Sequence, residues 1–198
     1  DKFGNLGAYQ EGIILGWVNG NGGNCYKNNN DLFPTIELEF LNDELDIYYK
    51  ILNILNKENN IKSINMFNDY NNTQNKIIDT NISKNIENKY NIDINNFKKG
   101  FNELLFKASK DFLVGYLSSY FSANGVINKN NIQLLSYDKE RLYQIKNILS
   151  MFGIQSSIYY DNKLIISGKK DLVKFNKEIR FLSKIKQNKL DYNINNND

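Results

Sequence analysis

The sequence predicts an α+β fold built from two copies of one unit, each running helix, hairpin, helix, hairpin, helix. Three observations predict it. Segments with a helical apolar period alternate with short runs of strand type bounded by Asn, Asp and Gly. The same order of segments recurs after about 100 residues. Each copy also opens with an apolar helix that carries small residues four apart and ends in Asn-Gly, at Asn21-Gly22 and again at Asn124-Gly125. The length of 198 residues, 41% hydrophobic and 13% aromatic, suits two halves that each bury a core.

The N-terminal copy begins with a helix over Glu11–Asn19, stopped by Gly20-Asn21-Gly22. Thr35–Leu41 alternates polar and apolar residues as a strand does, and Asp43–Leu55 follows as a helix. Ser63–Tyr70 and Lys76–Thr80 read as a second hairpin, and Ile82–Tyr90 as a weaker closing helix. The boundaries within 56–96 are soft, because Asn is dense there.

The C-terminal copy is clearer. Phe112–Phe121 is a helix, and Asn124-Gly125 is expected to end it as a left-handed cap. Val126–Lys129 and Ile132–Ser136 form a hairpin that turns at Asn130-Asn131. Asp138 is the expected N-cap of Lys139–Phe152, whose stripe of Leu142, Ile145, Ile148, Leu149 and Phe152 ends at Gly153. Ser156–Tyr160 and Leu164–Ser167 make a second hairpin around Asp161-Asn162. The last helix is expected over Lys169–Leu182, with Leu172, Val173, Phe175, Ile179 and Phe181 as its apolar side. The expected domains are therefore 1–96 and 97–190, with a disordered tail over 191–198.

Composition removes several chemistries. There is no His, so Ser-His or Cys-His catalysis and His-ligated metals are excluded. Cys25 is the only cysteine, which excludes an internal disulfide and a Cys-ligated zinc. No apolar run reaches membrane-spanning length. The start, Asp1-Lys2-Phe3-Gly4, has neither a signal-peptide pattern nor a Met. It reads as a piece excised from something longer, with an intracellular location expected and no compartment indicated. The 36 Asn, with 25 Ile and 23 Lys against 2 Arg, look like a coding bias. Charge is uneven: residues 1–100 carry −3 and residues 101–198 carry +6. Within 169–190, eight basic residues face only Asp171 and Glu178, a stripe that fits either a polyanion or a solvated helix side.

The two opening helices align at their ends. One reads Ile14-Leu15-Gly16-Trp17-Val18-Asn19-Gly20-Asn21-Gly22, the other Leu117-Ser118-Ser119-Tyr120-Phe121-Ser122-Ala123-Asn124-Gly125. Small residues at Gly16 and Gly20, and at Ser119 and Ala123, fall on one helical face and allow close backbone approach. These segments resemble the paired motifs of LAGLIDADG homing endonucleases, particularly the intein-embedded type. The approach Phe106–Leu113 and the landmarks Phe152-Gly153-Ile154 and Phe181–Gln187 extend the resemblance to most of 8–190.

The resemblance implies a pseudo-twofold fold with a central pair of motif helices. It also implies two saddle-shaped antiparallel sheets lying along the major groove of double-stranded DNA, in a monomer that is an internal pseudo-dimer. Strands near 24–29, 35–41, 63–70, 76–80, 126–136 and 156–167 would supply that surface. Lys27, Lys129, Gln133, Gln155, Tyr159 and Lys163 would be the DNA-contacting residues.

In such enzymes the last acid of each motif binds Mg²⁺ for phosphodiester cleavage. The matching positions here are Asn21 and Asn124, 103 residues apart. An amide brings no charge to a dication, so the expectation is DNA binding without cleavage, and whether a metal is held stays open. Natural decay, drift and deliberate substitution explain the two Asn equally. The lysines that the resemblance places near the scissile phosphates are Lys186 and, by a looser match, Lys99. Without His, intein self-splicing by the His-dependent route is excluded. A second reading from another class is a non-catalytic nucleic-acid-binding module such as an RNA-splicing maturase.

Overall fold

In the computed structural model, residues 2–20, 23–26, 35–59, 66–69, 72–79, 81–91 and 102–196 are described. Asn21, Lys27 and Lys99 lie outside these residues. The chain divides into two compact units, one of residues 1–16 with 99–198 and the other of residues 17–98. The first helix, α1 (Tyr9–Asn19), runs from one unit into the other.

The unit of 17–98 holds β1 (Gly23–Tyr26), β2 (Thr35–Phe40), α2 (Leu45–Asn59), β3 (Met66–Asp69), β4 (Asn72–Asp79) and α3 (Asn81–Tyr90). Its strands form one antiparallel sheet in the order β1-β2-β4-β3. Alternation in β2 buries Ile36, Leu38 and Phe40 and leaves Glu37 and Glu39 half-exposed on the other face. Trp17 stacks on Phe40 at 5.1 Å, and its Nε1–H donates to the Glu39 carbonyl at 3.2 Å. The indole is thus buried with its polar atom satisfied. A short 3₁₀ turn, Asn42–Glu44, leads into α2, with the Glu44 carboxylate accepting from the Leu41 N–H at 2.9 Å.

The other unit contains α4 (Glu103–Lys107), α5 (Lys110–Asn124), β5 (Gly125–Ile127), β6 (Asn131–Leu135), α6 (Lys139–Met151), β7 (Ser157–Tyr159), β8 (Lys163–Ser167), α7 (Lys169–Glu178) and α8 (Lys184–Asn196). Its sheet runs β5-β6-β8-β7, the same order as in the first unit. The repeat expected from sequence is therefore present in strand order and direction. Ser109 caps α5 by accepting from the Phe112 N–H, and Asp138 caps α6 by accepting from the Arg141 N–H.

Close packing of α1 on α5 is written in glycine. A Cβ at Gly12 would lie 2.1 Å from the Phe112 carbonyl oxygen. One at Gly16 would lie 2.3 Å from that of Tyr116, and one at Gly115 would lie 2.2 Å from that of Tyr9. Only glycine fits at these three positions. The small-residue spacing of four thus starts one turn earlier than the motif ends suggest, with Gly12 before Gly16 and Gly115 before Ser119.

Five expectations need correction. Gly125 is not a left-handed cap: its φ of −77° and ψ of 139° are extended, and it opens β5 directly. Glycine is needed there because a Cβ would meet the Phe121 carbonyl oxygen at 2.4 Å. Asn131 belongs to β6, so the turn falls on 128–130. Val173 is 43% exposed, so it is not part of the buried side of its helix. The last helix breaks after Glu178, and Arg180 takes a positive φ of 65°. The cause lies in α5. Ser118 Oγ donates to the Ile179 and Arg180 carbonyls, at 3.3 and 2.7 Å. Ser122 Oγ accepts from the Leu182 and Ser183 N–H groups, at 2.7 and 3.1 Å. Two serines thus draw the chain out of the helix while Phe181 and Leu182 bury their side chains.

The chain then re-enters a helix, α8, that continues to Asn196, where a disordered tail was expected from 191. Leu190 is 1% exposed, and Asp191 accepts from Asn176 and Gln187 at 2.8 and 2.9 Å, which ties α8 to α7. Among the described residues no helix is long and apolar enough to cross a membrane.

Candidate nucleic-acid interface

The end of α5 is where the sequence places half of a cleavage centre. Asn124 is the last helical residue and is half-buried. One turn earlier Tyr120 is 2% exposed, and the Asn124 and Ser136 side chains lie near its hydroxyl. Burial pushes the Tyr120 phenol far above its ordinary range, so it stays neutral. Phe112, Tyr116 and Tyr120 stack in register along one side of α5, with interplanar angles of 8° and 9°. Arg141, buried beside them, donates to the Tyr116 hydroxyl at 3.3 Å and to Gln144 at 3.4 Å.

Lys186, on the first turn of α8, brings its ammonium to the same helix end and donates to the Ser122 carbonyl at 2.5 Å. A cation on a last-turn carbonyl is favoured by the negative end of the helix dipole. The structure thus brings Lys186 to the α5 terminus that carries Asn124, two positions that the sequence reading linked only through resemblance.

This donor set does not suit a divalent cation. The amide of Asn124 is neutral, and the nearest cationic group is the Lys186 ammonium. Mg²⁺ takes carboxylate oxygens to offset its charge. Among the described residues there is no group of three or more His, Cys, Asp or Glu that could hold a metal.

The second sheet turns one face away from its helices. Ile132, Leu134, Leu164 and Ile166 are buried, and Gln133, Leu135, Lys163 and Ile165 project from the opposite face. Registration places Val126, Gln133, Ile165 and Ser157 in one row and Leu135, Lys163 and Tyr159 in the next. Val126 is 46% exposed, Leu135 48% and Tyr159 52%. Of the residues singled out from sequence, Gln133, Tyr159 and Lys163 therefore share one open surface. Lys129 stands exposed on the β5–β6 turn. Gln155 is exposed in the α6–β7 connection, its N–H donating to Asp171 at 2.8 Å. The Lys163 ammonium pairs with Asp161 at 2.5 Å, so its charge is partly offset.

On the first sheet the residues missed from sequence are Glu37 and Glu39. They register opposite Asn24 and Ile78, and opposite Lys76. The strict alternation of Thr35–Phe40 already placed both carboxylates on the face away from the core.

An α+β chain with two sheets of identical strand order, each preceded by a motif helix, defines the LAGLIDADG homing endonuclease fold. Residues 111–180 match the family of LAGLIDADG-like domains. No curated protein matches the chain by sequence. Among solved structures the chain is similar to the homing endonuclease I-DmoI in complex with DNA and Ca. Identity is 14%, the TM-score is 0.66, and the match covers 93% of this chain and 97% of that one. The homing endonuclease I-WcaI, bound to its DNA recognition sequence, matches at 18% identity and a TM-score of 0.60 over 89% and 83%. The I-LtrWI LAGLIDADG homing endonuclease bound to target DNA matches at 13% and 0.55 over 94% and 90%.

Proposed function

We propose that this chain binds duplex DNA through the open faces of its sheets and does not cleave it. The carrying observation is the end of α5, where the neutral amide of Asn124 stands at the position of the motif acid and the Lys186 ammonium lies on the nearby Ser122 carbonyl. Asn21 occupies the matching place in the other half by sequence. Two neutral amides cannot supply the negative charge that a divalent cation needs beside a phosphodiester. Lys186 can still orient a phosphate, which favours binding over turnover.

The sheet faces support groove binding of a particular kind. Gln133 can pair with adenine in the major groove, and Glu37 and Glu39 can accept from cytosine amino groups. Val126, Leu135 and Ile165 offer apolar contact to thymine methyl groups. With few cations on these faces, phosphate contact falls to Lys129, Lys163 and, by sequence, Lys27 and Lys99. Related structures are bound to target DNA, and I-DmoI has been solved with DNA and Mn, which supports the same partner here.

An origin as an intein-embedded endonuclease domain rests on the motif pattern alone; the absence of His removes the His-dependent splicing route from this segment. Action as a monomer follows from the internal repeat. The testing experiment measures retention of a duplex pool and strand breakage in the same reaction, with Mg²⁺ or Mn²⁺ present. Retention without breakage supports the proposal, and protein-dependent breaks refute it. Sedimentation of the complex as one chain per target supports the monomer, and flanking splicing blocks in the surrounding gene support the intein origin.

A further inference from the structure

The basic stretch of 169–190 finds no use in either sheet face. In the structure its first half becomes one side of α7. Leu172 and Phe175 are buried, Phe175 packing on Phe121 at 5.1 Å, while Lys169, Lys170, Val173 and Lys177 are exposed, with Arg180 just beyond the helix. At 100° per residue the four helical positions fall within an arc of about 100°, and Arg180, beyond the helix, faces Asp191 at 4.0 Å. Neighbouring acids stand off that arc and are engaged. Asp171 accepts from the Gln155 N–H, and Glu178 takes the Lys110 ammonium at 2.9 Å, which holds its carboxyl below the ordinary range. The helix turns Leu172 and Phe175 into the core beneath the second sheet, where Phe175 meets Phe121 of α5, so its cationic arc points away from that core.

We propose that the outer side of α7 is a second binding surface for duplex DNA, held by its phosphate backbone without base readout. Charge complementarity selects a polyanion. Lys169 to Lys177 spans about 12 Å along the helix axis. That length matches three to four phosphates of one strand at about 3.4 Å each. The arc carries no aromatic ring on which an unpaired base could stack, which favours a duplex over a single strand. It also lacks an apolar flank for insertion into a lipid surface, since Leu172 and Phe175 point inward. The chain can then bridge two DNA segments.

The test counts short random-sequence DNA duplexes bound per chain at low salt, by sedimentation with a labelled duplex. Lys170→Gln with Lys177→Gln is expected to lose one duplex equivalent, and Lys170→Arg with Lys177→Arg to keep it. The salt slope of the affected phase should shrink by about 1.8, at about 0.9 per phosphate contact. Both lysines are exposed, so folding is not at stake, and unchanged thermal unfolding checks this. Unchanged stoichiometry and slope in the Gln variant overturn the proposal. So does a second phase that appears only with duplex RNA or with anionic phospholipid vesicles. The sheet reading fails separately: Tyr159→Ala with Lys163→Gln then changes nothing, while the phase sensitive to Lys170 and Lys177 persists.

Discussion

Replacing Gly12 by alanine should destabilise the protein, although the same change in an ordinary helix stabilises it. In a helix interior alanine is favoured over glycine by about 1 kcal/mol. Here the new methyl would sit 2.1 Å from the Phe112 carbonyl oxygen and 2.9 Å from the Tyr116 nitrogen. Both obstacles are backbone, so no rotamer change relieves them. Reaching the 3.4 Å of an ordinary contact from 2.1 Å requires α1 and α5 to part by about 1.3 Å. A gap of 0.5–1 Å already forfeits roughly a quarter to a half of each dispersion contact. The buried residues Ile13, Leu113 and Tyr116 along this interface would all lose packing. Overpacking of this kind costs about 3 kcal/mol at the upper end. Against the helix gain, the net loss is about 2 kcal/mol, or a fall of roughly 4–8 °C in Tm for a chain of this length. Chemical unfolding of Gly12→Ala beside the parent protein reads it. A neutral or stabilised variant would refute the close approach of the two helices.

Other consequences follow from the same geometry. Ser119 is fully buried with no hydrogen-bond partner for its Oγ, so Ser119→Ala should leave stability unchanged or raise it by about 1 kcal/mol, and a loss of that size in chemical unfolding contradicts the placement. Ser122→Ala should cost about 2–3 kcal/mol, because the Leu182 and Ser183 N–H groups lose their acceptor, and hydrogen exchange should quicken at those two amides. Tyr120 ionises at a higher pH when folded than when unfolded, so the unfolded chain releases its proton first. Its contribution to stability is present below the ordinary value of 10.0 and is lost as pH rises above it, by up to about 1.4 kcal/mol per pH unit. Tyr120→Phe should therefore flatten the decline in stability above pH 10, and an identical decline would contradict the burial of that phenol. Asp161→Asn releases Lys163 from its ion pair and should tighten DNA binding several-fold at low salt, steepening the salt slope by up to about 0.9, whereas weaker binding would take Lys163 out of the interface.

Local signals carried most of the fold. The stripe Leu142, Ile145, Ile148, Leu149 and the cap Asp138 located α6 to within a residue, because both are set by near neighbours in the chain. The break at Arg180 was hidden because its cause is 60 residues away in the sequence, in the hydroxyls of Ser118 and Ser122. Those serines are the hydrogen-bonding posts of the turn into α8. The tail from 191 was expected to be disordered. It is held through Asp191 and Leu190 by partners on other elements, which no local pattern announces. The site was legible in kind more than in detail. Asn124 and Lys186 could be placed by resemblance, but the burial of Tyr120 beside Asn124 depends on distant packing. Glu37 and Glu39 were legible in the alternation of Thr35–Phe40, which sets both on the face away from the core.

The most direct measurement of the central claim compares the parent chain with Asn21→Asp plus Asn124→Asp on one selected DNA target in Mg²⁺, scoring bound and broken strands together. The account predicts that the parent retains the target uncut and that the double variant gains strand breakage. Breakage by the parent chain, or failure of the parent to retain any duplex, would contradict it.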